Sequence, residues 1–175
     1  FTFQGFIAAV NKVVLSGNPL TGGEPTWNSA TKSYDIQTDG KDISGVSALF
    51  SSMTQVTDLE LSNCGLGPTS MAELAKLVRD AGAAIKSIVL DGCEITGSKI
   101  KYKGESYEEI EQLDADLSGF TSLCSALGSS QIATISLRKC YLGPQAIALL
   151  ADSIKVMAAI TSANLLHNPL GEGVH

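Results

Sequence analysis

The sequence predicts an α/β solenoid, with a ladder of short parallel strands along one side, helices along the other, and insertions in alternate repeats. Three observations carry this. The phrase VTDLELSNC-GLGP at 56–68 alternates apolar Leu59 and Leu61 with acidic Asp58 and Glu60, the period-two pattern of a strand with one buried face. The phrase returns as IATISLRKC-YLGP at 132–144 and more loosely at 10–20, 85–95 and 160–170. Apolar stretches with helical spacing separate the copies.

The copies begin at 10, 56, 85, 132 and 160, so the intervals alternate long and short: 46, 29, 47 and 28 residues. The repeating unit is therefore a pair of repeats of about 75 residues, with about 18 extra residues in each first member. The alternation looks like a duplication of the pair.

Taken in order, residues 1–9 read as the tail of a helix from a preceding repeat. Phe1, Phe6 and Ile7 have no polar cap over them, so repeats are expected to continue upstream. The chain opens on Phe1 rather than Met and stops at NPLGEGVH, where another helix should begin, so it reads as processed or as a piece of a longer array. Val13 to Leu15 form the first strand, and GNPLTGGEP after it must turn. Ser44 to Met53 form a short helix with Val46, Leu49, Phe50 and Met53 on one face, capped by Asp42 or Ser44. Pro68 opens the second helix, which turns Met71, Leu74, Ala75 and Val78 inward and Glu73, Lys76, Arg79 and Asp80 to water; Gly82 ends it.

The third repeat carries the second insertion. Lys99 to Tyr102 alternate, Lys103-Gly104 can turn, and Ser106 to Ile110 can return, as a small hairpin or a decorated loop. Trp27 and Tyr34-Asp35-Ile36 occupy the comparable region of the first copy. Thr96-Gly97 corresponds to Thr21-Gly22, and DLSGFTSLCSAL at 116–127 to DISGVSALFSSM at 42–53. Pro144 opens the fourth helix, with Ile147, Leu150, Ala151 and Ile154 on its inner side.

Val56, Leu59, Leu61, Cys64 and Leu66 fill the pattern L-x-x-L-x-L-x-x-N/C-x-L, and Ile132, Ile135, Leu137, Cys140 and Leu142 fill it again. Val10, Val13, Leu15, Asn18 and Leu20 match it, as do Ile85, Ile88, Leu90, Cys93 and Ile95. The last copy, Ile160, Ala163, Leu165, Asn168 and Leu170, departs with small Ala163 where a bulky residue is usual. On these residues the chain resembles the leucine-rich repeat family, in its ribonuclease-inhibitor-like subclass with long helical repeats. The resemblance spans nearly the whole chain apart from the inserts.

It implies one leucine-rich repeat domain over 1–175, a horseshoe segment with the strand ladder concave and the helices convex. Strands are expected near 10–15, 56–61, 85–90, 132–137 and 160–165, and insertions at about 22–41 and 97–115. In the family, the residue at Cys64, Cys93 and Cys140 hydrogen-bonds or packs inside the turn after the strand, so these thiols are read as structural. Cys124 shares a helix face with Leu123 and Leu127 and is read as core. Four free, buried thiols suit a reducing compartment, and cytoplasmic residence is expected.

The subclass includes inhibitors and regulators, among them GTPase activators and actin-regulating scaffolds. The resemblance therefore implies a non-catalytic scaffold or adaptor segment with a protein partner of unknown identity. The alternatives are a structural or self-associating array, cytoskeletal or surface, and a regulator of a small GTPase or actin system by docking.

The ladder places outward residues in columns: Lys12, Asp58, Ser87, Thr134, Ser162; then Val14, Glu60, Val89, Ser136, Asn164; then Ser16, Ser62, Asp91, Arg138, Leu166. The candidate binding residues on this face are Lys12, Asp58, Glu60, Asp91, Arg138, Lys139 and Asn164, with Asp91 and Arg138 placed to pair across strands. Trp27, Tyr34, Tyr102 and Tyr107 are candidates for a second, aromatic rim on the inserts, or else cover the solenoid edge.

A net charge of -6 with no Lys/Arg stripe argues against nucleic acid and anionic membrane as partners. No apolar run approaches the roughly 20 residues that span a bilayer. Residues 1–10 carry no signal-peptide pattern, and no N-x-S/T sequon occurs. No C-x-x-C, H-E-x-x-H, phosphate loop or G-x-S-x-G motif appears. Cys140 is expected to point inward and His167 outward, which separates them as a nucleophile pair. The acidic run Glu105, Glu108, Glu109, Glu111, Asp114, Asp116 lacks calcium-loop spacing and reads as a solvated face, with Asp42 and Asp116 holding the loop or capping the next helix. The expectation is no enzyme, no cofactor and no metal.

Overall fold

The structure, a computed structural model, describes residues 10–22, 25–28, 33–36, 42–53, 55–80, 84–103 and 107–169, with 25–28, 33–36, 101–103 and 107–109 described by backbone alone. The helix tail expected at 1–9, the Gly82 helix end, the Gly104 turn, the Leu170 core position and the final NPLGEGVH helix start fall wholly or partly outside these residues.

Five three-residue strands form one parallel sheet: β1 (Lys12–Val14), β4 (Asp58–Glu60), β5 (Ser87–Val89), β8 (Thr134–Ser136) and β9 (Ser162–Asn164), side by side in chain order. Pairing is in register throughout, so that Lys12, Asp58, Ser87, Thr134 and Ser162 lie abreast. The ladder runs past the strands: Leu15 N donates to Glu60 O at 2.9 Å, Leu61 N to Val89 O at 2.8 Å, Leu90 N to Ser136 O at 2.9 Å, and Leu137 N to Asn164 O at 2.9 Å. Helices α1 (Ser44–Ser52), α2 (Pro68–Asp80), α3 (Ser118–Gly128) and α4 (Pro144–Val156) join successive strands. The arrangement is α/β and solenoid-like, one strand and one helix for each turn.

The interior lies between sheet and helices. Leu59, Ile88 and Ile135 from the strands, and Leu61, Leu90 and Leu137 just after them, are buried against Met71, Leu74, Phe120, Leu123, Leu127 and Leu150. Each such side chain contributes about 1.5–3 kcal/mol on leaving water. The turn residue then ties its repeat to the one before. Cys64 Sγ reaches Leu15 O at 3.1 Å, Cys93 Sγ reaches Leu61 O at 3.3 Å, and Cys140 Sγ reaches Leu90 O at 3.3 Å. Asn168 does the same to Leu137 O at 2.6 Å and adds two bonds, its Oδ1 accepting from the N–H groups of Cys140 and Leu142.

Both inserts are antiparallel hairpins. The first pairs β2 (Pro25–Asn28) with β3 (Ser33–Ile36), and the second pairs β6 (Lys99–Lys103) with β7 (Tyr107–Gln112). Their bases are pinched alike: Asp42 N donates to Thr21 O at 3.3 Å and Asp116 N to Thr96 O at 2.9 Å. Asp42 Oδ1 then accepts from Ser44 N, and Asp116 Oδ1 from Ser118 N, each at 2.9 Å, covering an orphan donor at the start of α1 and α3. The side-chain hydroxyls of Ser44 and Ser118, and then these N–H groups, hold both carboxyls below their ordinary range.

Three side chains depart from their expected settings. Ala151 is exposed, and α4 buries Ala146 and Ser153 beside the expected Leu150. Glu73, expected in water, is partly buried and accepts from Ser47 Oγ at 2.7 Å, so it ties α2 to α1. Asp91 meets Arg138 through the backbone N–H at 2.9 Å rather than through the guanidinium, its Oδ1 also taking the Ser136 hydroxyl at 2.6 Å.

The duplication gives a paired test of helix packing. A Cβ on Gly119 would stand 1.6 Å from Pro68 O, so α3 approaches the start of α2 only because that residue is glycine. Its counterpart Gly45 has nothing within 4 Å. Gly119→Ala should therefore cost at least about 2–3 kcal/mol in chemical denaturation, while Gly45→Ala should be neutral or stabilise by up to about 1 kcal/mol. Equal midpoints for the two variants would disprove this account of the helix layer.

Candidate functional site

The sheet face away from the helices carries side chains in columns because register is kept across all five strands. Lys12 and Asp58 fall in the first column, and Glu60 and Asn164 in the second. Asp91 and Arg138 fall in a third, just past the strands, where Asn63 N donates to Asp91 O and Gly92 N to Arg138 O, each at 2.8 Å. Lys139 stands one residue beyond, in the corner that each repeat turns with a left-handed residue: Gly17, Asn63, Gly92, Lys139 and His167 have φ of 81, 52, 70, 52 and 63°. It belongs to the rim of the face rather than to its columns.

The polar groups of the face are largely engaged with one another. Lys12 Nζ lies 2.5 Å from Glu60 Oε1, and that carboxylate holds the lysine above its ordinary pKa. Asp58 Oδ2 accepts from Thr57 Oγ1 at 2.6 Å, and Asn164 Oδ1 from Leu166 N at 3.3 Å. Val14 and Leu166, at 54% and 60% exposure, are apolar points at its two ends. The exposed pair Lys12–Glu60 is screened by salt and weak in itself, so the face is a mixed polar surface with its geometry already set.

The hairpins rise where the strands' C-terminal ends lead into the helices of the first and third repeats. In the first, Trp27 is directly opposite Tyr34 in register. In the second, Tyr102 is opposite Glu108 and Tyr107 opposite Lys103, so the aromatic positions are not arranged alike in the two copies.

The base of the second hairpin holds a feature that sequence reasoning placed in water. Asp114, at φ 54°, accepts from Gly143 N at 2.9 Å through Oδ1, and from Gln145 N and Ala146 N at 3.0 Å each through Oδ2. It caps α4, whose N-cap residue Gly143 has no side chain to do so. Ser98 completes the seam, its hydroxyl donating to Tyr141 O at 2.8 Å and accepting from Asp114 N at 3.0 Å. At the first hairpin Thr21 Oγ1 makes the matching contact with Gly65 O at 2.8 Å. The signal for Asp114 is a Gly-Pro helix start without its own cap; what hides it is that the partner lies about 30 residues earlier in the chain.

The thiols are unsuited to nucleophilic work. Burial pushes Cys93 up to about 12 and Cys124 up to about 11, and raises Cys64 and Cys140 as well. All four are free cysteines and buried. His167 is exposed at its corner while Cys140 is buried in the turn below, so the two do not converge. Among the described residues no group of three or more His, Cys, Asp or Glu is placed to hold a metal, and no helix is long and apolar enough to cross a membrane. Compared with known proteins, the chain matches no family model and no curated protein.

Asp114→Ala should lower stability by about 2 kcal/mol, read as an earlier denaturation midpoint, and should speed amide exchange at Gln145 and Ala146 before any other helix. A uniform change in exchange would deny the capping role. The thiols set an alkaline limit. Their folded pKa values lie above the unfolded one, so the stability they lend is complete below about pH 9 and drains away as pH rises through about 12. Cys93→Ala should flatten the fall in stability above pH 9 by up to about 1.4 kcal/mol per pH unit; an unchanged slope counts against it.

Proposed function

We propose that the chain is a leucine-rich repeat segment of the ribonuclease-inhibitor-like kind, and that it acts as a non-catalytic scaffold or adaptor for another protein. The observation that supports this best is the in-register ladder, whose columns stand outward over five strands while the described helices cover the opposite side. A partner would be read by Asp58, Glu60, Arg138 and Asn164 across the face. The two hairpins would bound it along one margin. Its polar groups are held by one another and by the backbone, so little ordering entropy is spent on contact. Inward thiols support a role without catalysis and residence in a reducing, cytoplasmic setting.

The test is affinity capture from the native extract with three proteins: the parent chain, a Glu60→Lys/Arg138→Glu variant, and a chain in which 101–110 is replaced by a short turn that spares Ser98 and Asp114. At least one altered protein should lose the parent's captured partner by tenfold or more. Its thermal unfolding should stay within about 0.5 kcal/mol of the parent, as for surface substitutions generally. Retention of the same partner by both altered proteins would refute the reading.

A further inference from the structure

We propose that the partner element seated on the open face of the sheet is an α-helix that crosses β4, β5 and β8. It carries a lysine or arginine over Asp58 and Glu60, short side chains over Val89 and Ser136, and an aspartate or glutamate seven or eight residues on, paired with Arg138. This rests on the scaffold reading and names the chemistry of the partner that the face fits. The three strands concerned are the middle of the ladder, with β1 beyond one side and β9 beyond the other.

Charge divides this middle part. The second repeat presents two carboxylates, Asp58 and Glu60, and Lys12 from the strand before meets only Glu60. The fourth repeat presents Arg138, which is exposed. Its backbone N–H is taken by Asp91 Oδ1, while its guanidinium has no hydrogen-bond or ion-pair partner among the described residues. Asp91 stands in the same column, yet that carboxylate oxygen is occupied by the Ser136 hydroxyl and the Arg138 N–H, and the guanidinium is left open. A planar guanidinium without a partner is matched best by a carboxylate, which it can hold through two parallel bonds. Between the two poles the floor is low. Ser87, Val89 and Thr134 are half-buried, and Ser136 is only 9% exposed.

The spacing suits a helix. Glu60, Val89 and Ser136 lie abreast, and Arg138 is two residues beyond Ser136. Two strand spacings across and two residues along separate Glu60 from Arg138 by about 12 Å. Residues seven and eight apart on a helix are about 10.5 and 12 Å apart, on one side of it. The turn between them, at three and four residues on, comes to lie over β5. A helix also satisfies its own backbone. An extended segment laid here would have to strip water from its N–H and C=O groups over a face whose polar groups are largely engaged already.

The probe is a displayed library of a stable three-helix bundle, its outer helix randomised at positions i, i+3, i+4, i+7 and i+8. It is selected against the parent chain, Arg138→Glu and Glu60→Lys. The parent should enrich a basic residue at one end and an acidic one seven or eight positions away, each by about fivefold over the unselected library, as an exposed ion pair allows. Arg138→Glu should turn the acidic end basic and keep the other; Glu60→Lys should turn the basic end acidic and keep the other. Circular dichroism shows which variants fold, and either one alone decides. No charge pairing at this spacing on the parent, or a pattern that a folded variant leaves unchanged, would overturn the proposal. Should the doubly altered Glu60→Lys/Arg138→Glu protein lose its captured partner while the library shows no such pattern, the scaffold reading stands and the helical occupant falls.

Discussion

The fold depends on a bond made out of line with the strands. A three-residue strand has too few ladder bonds to fix its neighbour's height, and parallel pairing of that length is weak. The turn side chain supplies the missing constraint. Cys64, Cys93, Cys140 and Asn168 each reach down to the carbonyl of a leucine in the preceding repeat, so that every turn is positioned by the one before it. A sulfur can do this while buried because it is small, weakly polar and cheap to desolvate. Asparagine, more expensive to bury, makes four bonds at position 168 and thereby satisfies both ends of its amide.

Much of this was legible in the residues. The alternation of Leu59 and Leu61 with acidic neighbours, and its return at 135 and 137, fixes which side of each strand is covered, and period two leaves no freedom in the columns. The equivalence of Thr21-Gly22 with Thr96-Gly97 also carries through, since Gly22 and Gly97 share a positive φ of 72 and 62° and both threonines are buried. What was not legible is contact between distant segments. Asp114 sits in an acidic run and looks solvated, yet one displaced residue from that run caps a helix in the next repeat. Ala151 fits a helical stripe but falls outside it, because α4 has a covered neighbour, α3, on one flank only among the described residues.

The two halves of the duplication have drifted apart at defined points. Asp114 corresponds in sequence to Gly40, which has no carboxylate. Gly119 is pressed against Pro68 while Gly45 has room beside it. Among the described residues, the second hairpin is anchored to the repeat after it through Ser98 and Asp114, and the first through Thr21. A pair of repeats copied whole has been adjusted afterwards to its place in the stack.

The left-handed corner shows where such adjustment is cheap. Five equivalent residues turn the chain there, and they are Gly, Asn, Gly, Lys and His. Backbone geometry asks only for a positive φ, at a cost of order 1 kcal/mol for a side chain other than glycine. Only Gly92 is hemmed in, by the Asn63 amide that would lie 2.1 Å from its Cβ. The corners therefore form a row along the margin of the sheet on which charge, hydrogen bonding and bulk can be rewritten one repeat at a time without disturbing the layers beneath.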